Sequence, residues 1–136
     1  MKNVILSLAL LLAINSFSQD SKHPIDVQNA NCHDTAVPTT LGSINCELEA
    51  VKAWKVEMDS ILLLLKAKED LLDIALLEET QVKWVAFHES NVQFYHSYYQ
   101  MSYQGGTMAR VATVSYEKQQ LRERTLYLKD FYEELE

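Results

Sequence analysis

The chain has 136 residues, enough for one modest domain, and its 48% apolar content can fill a packed core. With only 3 Gly and 2 Pro, it lacks the turn residues of a many-turned β-sandwich or barrel. The formal net charge of -7 comes without any block of Lys and Arg, which argues against nucleic-acid binding because that function needs clustered positive charge.

Residues 1–18 have the features of a secretory signal peptide. Lys2 supplies the positive charge, residues 4–14 form the apolar stretch, and small residues precede a cleavage point before Gln19. This apolar stretch is too short to cross a hydrocarbon core of ~30 Å as a helix, although an uncleaved anchor is the alternative. We therefore predict export to the periplasm or the extracellular space, with no membrane span after cleavage. Loss of Lys2 would change the formal charge from -7 to -8.

The next segment, residues 19–38, is polar and contains both prolines. This composition predicts an extended N-terminal arm with one short helical turn near residues 27–32. Cys32 and Cys46 are the only cysteines, so a mutual disulfide is the default in an oxidising compartment, with two free thiols as the alternative. The bond would brace the arm by closing a ring of about 15 residues, worth ~3 kcal/mol in the loop-entropy model.

Residues 39–136 are predicted to form a helical bundle domain. Residues 44–104 contain no Gly or Pro, and we expect a break at residues 66–70 (KAKED), where charges interrupt the apolar stripe. Gly105 and Gly106 predict the end of the second helix. Apolar residues recur at steps of three and four in the first two segments and at near-heptad spacing in the third. The pattern predicts an all-α fold, an antiparallel three-helix bundle with a disulfide-braced N-terminal arm.

Polar residues next to these breaks can cap the helices. Thr39, Thr40 and Ser43 are each plausible caps for the first helix, and Thr107 for the third.

Little in the sequence indicates catalysis or metal binding. No HExxH or GxSxG motif occurs, and His88 and His96 lie about two helical turns apart, too far for a simple shared metal. The neighbouring acids Glu78 and Glu79 point about 100° apart on a helix, so we interpret them as part of a solvated acidic face. The sequence predicts a protein that is not an enzyme and has no cofactor or metal.

Two segments are richer in apolar or aromatic residues than a bundle core requires. Residues 94–103 (FYHSYYQMSY) are dense in tyrosine, a residue enriched at recognition surfaces. The alternative is a thick bundle end with phenolic groups in water. The apolar excess in residues 62–77 either seals the corner between two helices or forms a patch for self-association.

Four groups of residues along the chain form motifs whose order and spacing are informative. They are His23, Pro24, Ile25 and Asp26 with Cys32 and Cys46; Trp54, Glu57, Met58, Asp59, Leu62 and Leu65; Leu77, Gln81, Trp84, Phe87, His88 and Glu89; and Gly105, Gly106, Thr107, Arg124, Thr125 and Leu128. Together they resemble the lysozyme inhibitor LprI-like family of small secreted bacterial helical domains, over residues 23–132.

The chain departs from the family pattern at several positions. The second cysteine pair of the family is replaced by Val92 and Tyr116, and His88 stands where the family usually has Arg. Leu62 stands where it usually has Tyr. Any function that depends on that Arg is therefore open in this chain.

The signature residues have a physical interpretation of their own. Gln81, Trp84 and His88 fall on one helical face, and Arg124 could reach the same layer or pair with an acid. With Trp54, these residues are interpreted as a structural signature, since such signatures belong more often to a core than to an active site.

The resemblance implies an exported protein that binds a lysozyme and obstructs its substrate cleft stoichiometrically. An acidic inhibitor would be steered toward a basic lysozyme, which is compatible with the charge. The alternative is a structural or envelope-associated interaction module with another protein partner. The predicted partner-binding residues are Glu78, Glu79, Glu89, Tyr98 and Tyr103.

Overall fold

The structure is a computed structural model that describes residues 22–136, so the predicted signal peptide, residues 1–18, lies outside the described residues. This part of the chain contains four α-helices and no strands, which confirms the all-α fold. The helices are α1 (Pro24–Thr35), α2 (Thr40–Lys66), α3 (Ile74–Ser102) and α4 (Thr107–Glu134).

Helix α1 corrects the prediction of an extended arm and adds a fourth helix to the predicted three. Pro24 occupies the first turn, where a missing backbone N–H costs nothing and the fixed φ suits a helix. The Nδ1 atom of His23 accepts a hydrogen bond from the backbone N–H of Ile25 at 3.3 Å and caps the helix. Pro24 therefore marks the start of a helix and not an extended segment.

Helices α2 and α4 form the centre of the protein and pack against each other more extensively than any other pair. Trp54, Leu65 and Leu121 are almost fully buried at their interface. The start of α2 is capped by Thr39, whose Oγ1 accepts a hydrogen bond from the backbone N–H of Gly42 at 3.1 Å. The helix ends at Lys66, at the predicted break.

The corner that follows α2 is only partly sealed. Leu62 and Leu65 are buried, whereas Leu63, Leu71 and Leu76 are exposed. Part of the apolar excess therefore closes the corner, and self-association through the exposed part stays a prediction.

Helix α3 packs mainly along α4 and meets α2 through a few side chains near its start, such as Gln81 with Met58 and Glu78 with Lys66. Its one buried residue is His88. The helix ends where the glycines predicted, with Gly105 at a φ of 73° and its N–H bonded to the carbonyl of Gln100 at 2.8 Å. Gly106, not the expected Thr107, is the N-cap of α4, and it makes no side-chain hydrogen bond.

The Cys32–Cys46 disulfide is present, as predicted, and links α1 to α2. Two further polar contacts hold α1 against α4. Arg122 Nε lies 3.0 and 2.9 Å from the two carboxylate oxygens of Asp26, and Lys118 donates to Asn29 at 2.9 Å. Helix α1 is therefore held to α2 by the disulfide and to α4 by polar contacts, although none of its own residues is fully buried.

Replacing both cysteines (Cys32→Ser with Cys46→Ser) should destabilise the protein by ~3 kcal/mol, because a ring of about 15 residues then opens in the unfolded chain. Most helical signal should persist, since α2, α3 and α4 do not depend on the ring. Thermal unfolding followed by circular dichroism, with and without reductant, measures both effects. Reductant should leave the double serine variant unchanged, whereas an equal Tm for the two proteins in oxidising buffer would contradict the prediction.

Candidate functional site

An open groove lies between α2 and α3 and is also lined by α4, because both helices pack more closely on α4 than on each other. Its volume is about 500 Å³. Met58, Trp84 and Leu121 form its apolar base, one from each helix. This α2–α3 groove is within the size range of ligand-binding clefts, which is roughly 300–1,000 Å³.

The rim of the α2–α3 groove is acidic. Asp59, Glu89 and Glu117 line it together with one cation, Lys55. Lys55 Nζ lies 2.9 Å from Glu117 Oε1, so these two charges largely neutralise each other. Asp59 and Glu89 are exposed and form no ion pair within residues 22–136. The rim therefore offers an excess of two negative charges.

One wall of the groove is a stacked pair of rings. Trp84 and His88 lie one turn apart on α3, with centroids 4.9 Å apart and planes only 8° from parallel. His88 is 6% exposed, and its Nδ1 has no hydrogen-bond partner in the described part of the chain. Burial lowers the pKa of His88, although Glu117 opposes this shift, so the imidazole is neutral at pH 7.

A polar layer formed by Arg124 and Gln81 lies next to Trp84. Arg124 Nε and Nη2 both donate to Gln81 Oε1, at 3.2 and 3.1 Å, and the guanidinium lies 5.6 Å from the Trp84 ring centroid. Gln81 in turn donates to the sulfur of Met58 at 3.5 Å. The sequence left two roles open for Arg124, contact with the layer of Gln81 and Trp84 or pairing with an acid. The structure shows the first of these.

Trp54, the remaining signature residue, lies apart from the groove. It is 0% exposed in the core between α1, α2 and α4, with the His23 ring 4.4 Å away and the Arg122 guanidinium 5.8 Å away.

The five predicted partner-binding residues do not lie in one place. Glu89 lines the groove, whereas Glu78 pairs with Lys66 at 2.8 Å and Glu79 pairs with Lys83. Tyr98 and Tyr103 are 54% and 44% exposed near the other end of α3. At 1.5 Å per residue, this end lies about 37 Å from Glu78, so the set spans the helix rather than one contact area.

The tyrosine-rich end of α3 divides into an inner and an outer face. Tyr95 stacks on Tyr116 of α4 with centroids 4.0 Å apart, and Asn91 donates to the Tyr116 hydroxyl at 2.6 Å. Burial raises the pKa of Tyr116. This aromatic contact joins α3 to α4 at Tyr116, one of the two positions that the sequence resemblance assigns to a second cysteine pair of the family.

An exposed apolar stripe follows the outer face of α3. Phe87, Phe94, Tyr98 and Met101 recur at steps of seven, four and three, which places them on one side of the helix. The surplus of aromatic residues seen in the sequence therefore does face outward. Both interpretations of the tyrosines, a recognition surface or a solvated bundle end, stay open.

Sequence reasoning missed the groove itself, and with it Lys55, Asp59 and Glu117 as members of one site. Lys55 and Asp59 lie four residues apart, so the sequence does place these two side chains on the same face of α2. Nothing local indicated that α3 would sit apart from α2.

The described residues contain neither a membrane-spanning helix nor a metal-binding cluster. No helix between residues 22 and 136 is long and apolar enough to cross a membrane. Over the same residues, no cluster of three or more His, Cys, Asp or Glu side chains could hold a metal ion.

Comparison with known proteins gives one match. The family model described as lysozyme inhibitor LprI matches residues 32–128, a region that includes all of α2 and α3 and most of α4. This confirms the resemblance recognised in the sequence, although the His23–Asp26 opening lies before the matched residues. No curated protein and no solved structure is detectably similar to the chain.

Proposed function

We propose, since this chain belongs to the lysozyme inhibitor LprI family, that it is an exported protein that binds a lysozyme and obstructs the substrate cleft of that enzyme. The observation that carries the proposal is the family match over residues 32–128, which covers most of the described chain. The binding would be stoichiometric and non-catalytic, with no cofactor.

The surface chemistry supports a basic protein partner. The formal charge is -7, and the rim of the α2–α3 groove has two carboxylates without cationic partners in the described residues. Lysozymes are commonly basic, so the long-range field would speed encounter with such an enzyme. The exposed aromatic residues of α3 can add the apolar contact area that slows dissociation.

The proposal includes the route of the protein out of the cytoplasm. Residues 1–18 would be removed as a signal peptide, residues 19–38 would form the N-terminal region that contains α1, and residues 39–136 would form the helical bundle domain. The mature protein would act in the periplasm or outside the cell, where the Cys32–Cys46 bond is stable.

Titrating a c-type lysozyme with mature protein should reduce its activity in proportion to the amount added until the two are equimolar. Inhibition should be reversible on dilution and weaker at ~0.15 M salt than at low salt, because screening with a Debye length of ~8 Å slows association. Turnover of a cell-wall suspension measures both. An unrelated acidic protein of similar net charge serves as the control for non-specific binding.

Absence of inhibition at a tenfold molar excess in low salt would contradict the proposal. The alternative, an envelope-associated interaction module with another protein partner, would then account for the exposed stripe of α3.

A further inference from the structure

We propose that the α2–α3 groove is a receptor for one lysine or arginine side chain of the partner protein, with the alkyl portion on the apolar base and the charge between Asp59 and Glu89. This inference rests on the proposed function, because it identifies the part of a basic lysozyme that the groove would hold. The juxtaposition that supports it is an apolar base beneath an acidic rim.

The shape of the site suits an amphipathic side chain. Lysine and arginine bury their methylene stems on apolar surface while keeping the charged end near water or a counter-ion. In the groove, Met58, Trp84 and Leu121 supply the apolar surface, and the carboxylates lie at the more exposed edge. A wholly apolar side chain would leave both carboxylates unused and partly desolvated, which is unfavourable.

The charge of the rim selects a cation. Three carboxylates face one ammonium group, and Lys55 is already engaged by Glu117 at 2.9 Å. Asp59 comes from α2 and Glu89 from α3, so the two unpaired carboxylates line the groove from different helices. A carboxylate or phosphate would meet repulsion from the same pair.

The base is fixed in place before any ligand arrives. The Trp84 ring is stacked on His88 and lies 5.6 Å from the Arg124 guanidinium, which is itself held by two hydrogen bonds to Gln81. Since His88 and Arg124 already lie against the Trp84 ring, the incoming charge is expected at the carboxylates and its stem against Met58, Leu121 and the free edge of the indole. A preorganised base reduces the entropy lost on binding.

The first test measures the affinity of a c-type lysozyme for Asp59→Asn with Glu89→Gln. Both side chains are exposed, so the amides should fold as the parent does, which a thermal melt verifies. The matched control is Glu133→Gln with Glu134→Gln, which removes the same charge at the far end of α4. We expect the groove variant to bind roughly 30-fold more weakly, the loss typical of a hot spot, and the control to change less than threefold.

Equal affinities for the two variants would overturn the groove proposal while leaving lysozyme inhibition intact. If no form of the protein binds lysozyme, the proposed function fails, and a second probe decides the groove. The blocked tripeptide Ac-Gly-Arg-Gly-NH₂ is added to the mature protein, with Ac-Gly-Gln-Gly-NH₂ and Ac-Gly-Glu-Gly-NH₂ for comparison.

Nuclear magnetic resonance shifts of the Trp84 indole N–H and of the Val85 and Val92 methyl groups report occupancy of the groove. The arginine peptide should shift these signals at millimolar concentration, the other two peptides should not, and the double groove variant should abolish the effect. Shifts of equal size with the glutamine peptide, or none with the arginine peptide, would overturn the proposal.

Discussion

Replacing Trp54 with alanine should destabilise the protein by ~3–5 kcal/mol, the range measured when a large buried aromatic is truncated. Trp54 is 0% exposed, and it lies where α1, α2 and α4 meet. Its ring contacts His23 at 4.4 Å and lies 5.8 Å from the Arg122 guanidinium, so the cavity would also loosen the start of α1. Since small domains are stable by only about 5–15 kcal/mol, the variant should unfold at much lower urea concentrations.

Two further variants on α2 test whether the loss of stability in Trp54→Ala comes from the buried area that it removes. Val56→Ala removes an apolar side chain that is 66% exposed and should change stability by less than ~0.5 kcal/mol. Trp54→Phe keeps most of the buried area and removes an indole N–H that has no partner in the described residues, so its cost should be well below that of alanine. A loss under ~1.5 kcal/mol for Trp54→Ala would show that this position is not central to the core.

Features of the fold that depend on residues close together in the sequence could be predicted from the sequence. The end of α2 at Lys66 follows from charges that interrupt an apolar stripe, and the end of α3 follows from Gly105, which can take the positive φ required. The Cys32–Cys46 bond follows from the presence of only two cysteines in a chain whose first 18 residues predict export.

Helix α1 could not be predicted in the same way, because distant contacts hold it. Asp26 is paired with Arg122, and Asn29 with Lys118, both on a helix near the other end of the chain. Without such contacts a 12-residue helix is marginal in water, so its composition alone favoured an extended arm.

The candidate site was predictable only in part for a related reason. The shared face of Gln81, Trp84 and His88 follows from helical spacing, but the groove exists because α2 and α3 pack more closely on α4 than on each other. The acids Asp59, Glu89 and Glu117 come from three different helices, so no local pattern joins them. The way the helices pack together creates such a site, and the spacing of residues along one helix does not predict it.

A buried ion pair joins α1, α2 and α4 at the other end of the protein. Glu47 is 4% exposed, with its Oε2 2.8 Å from Lys118 Nζ and its Oε1 2.7 Å from His33 Nε2. Burial alone would raise the pKa of Glu47, but the hydrogen bonds from Lys118 and His33 outweigh it and lower the pKa. The carboxylate therefore stabilises the fold above its unfolded pKa near 4.5, and this contribution is lost as the pH falls through the lower folded value.

Lys118→Met should destabilise the protein at pH 7 by ~3–5 kcal/mol, because it leaves a buried carboxylate without its ammonium partner. The double variant Glu47→Leu with Lys118→Met should recover much of that loss, since no unpaired charge then remains. Urea unfolding of the parent, the two single variants and the double variant completes the thermodynamic cycle. Additive losses would mean that the two groups are not coupled.

The same variant should reverse the pH dependence of stability. In Lys118→Met the main effect that lowers the Glu47 pKa is gone, so burial should raise the folded pKa above the unfolded value. The folded state then binds more protons than the unfolded state, and stability should increase as the pH falls from 7 toward 5. The parent should show no such increase from Glu47, because its carboxylate is already ionised and paired throughout that interval. Urea midpoints of both proteins at pH 5, 6 and 7 measure the difference, and parallel curves would exclude Lys118 as the group that keeps Glu47 charged.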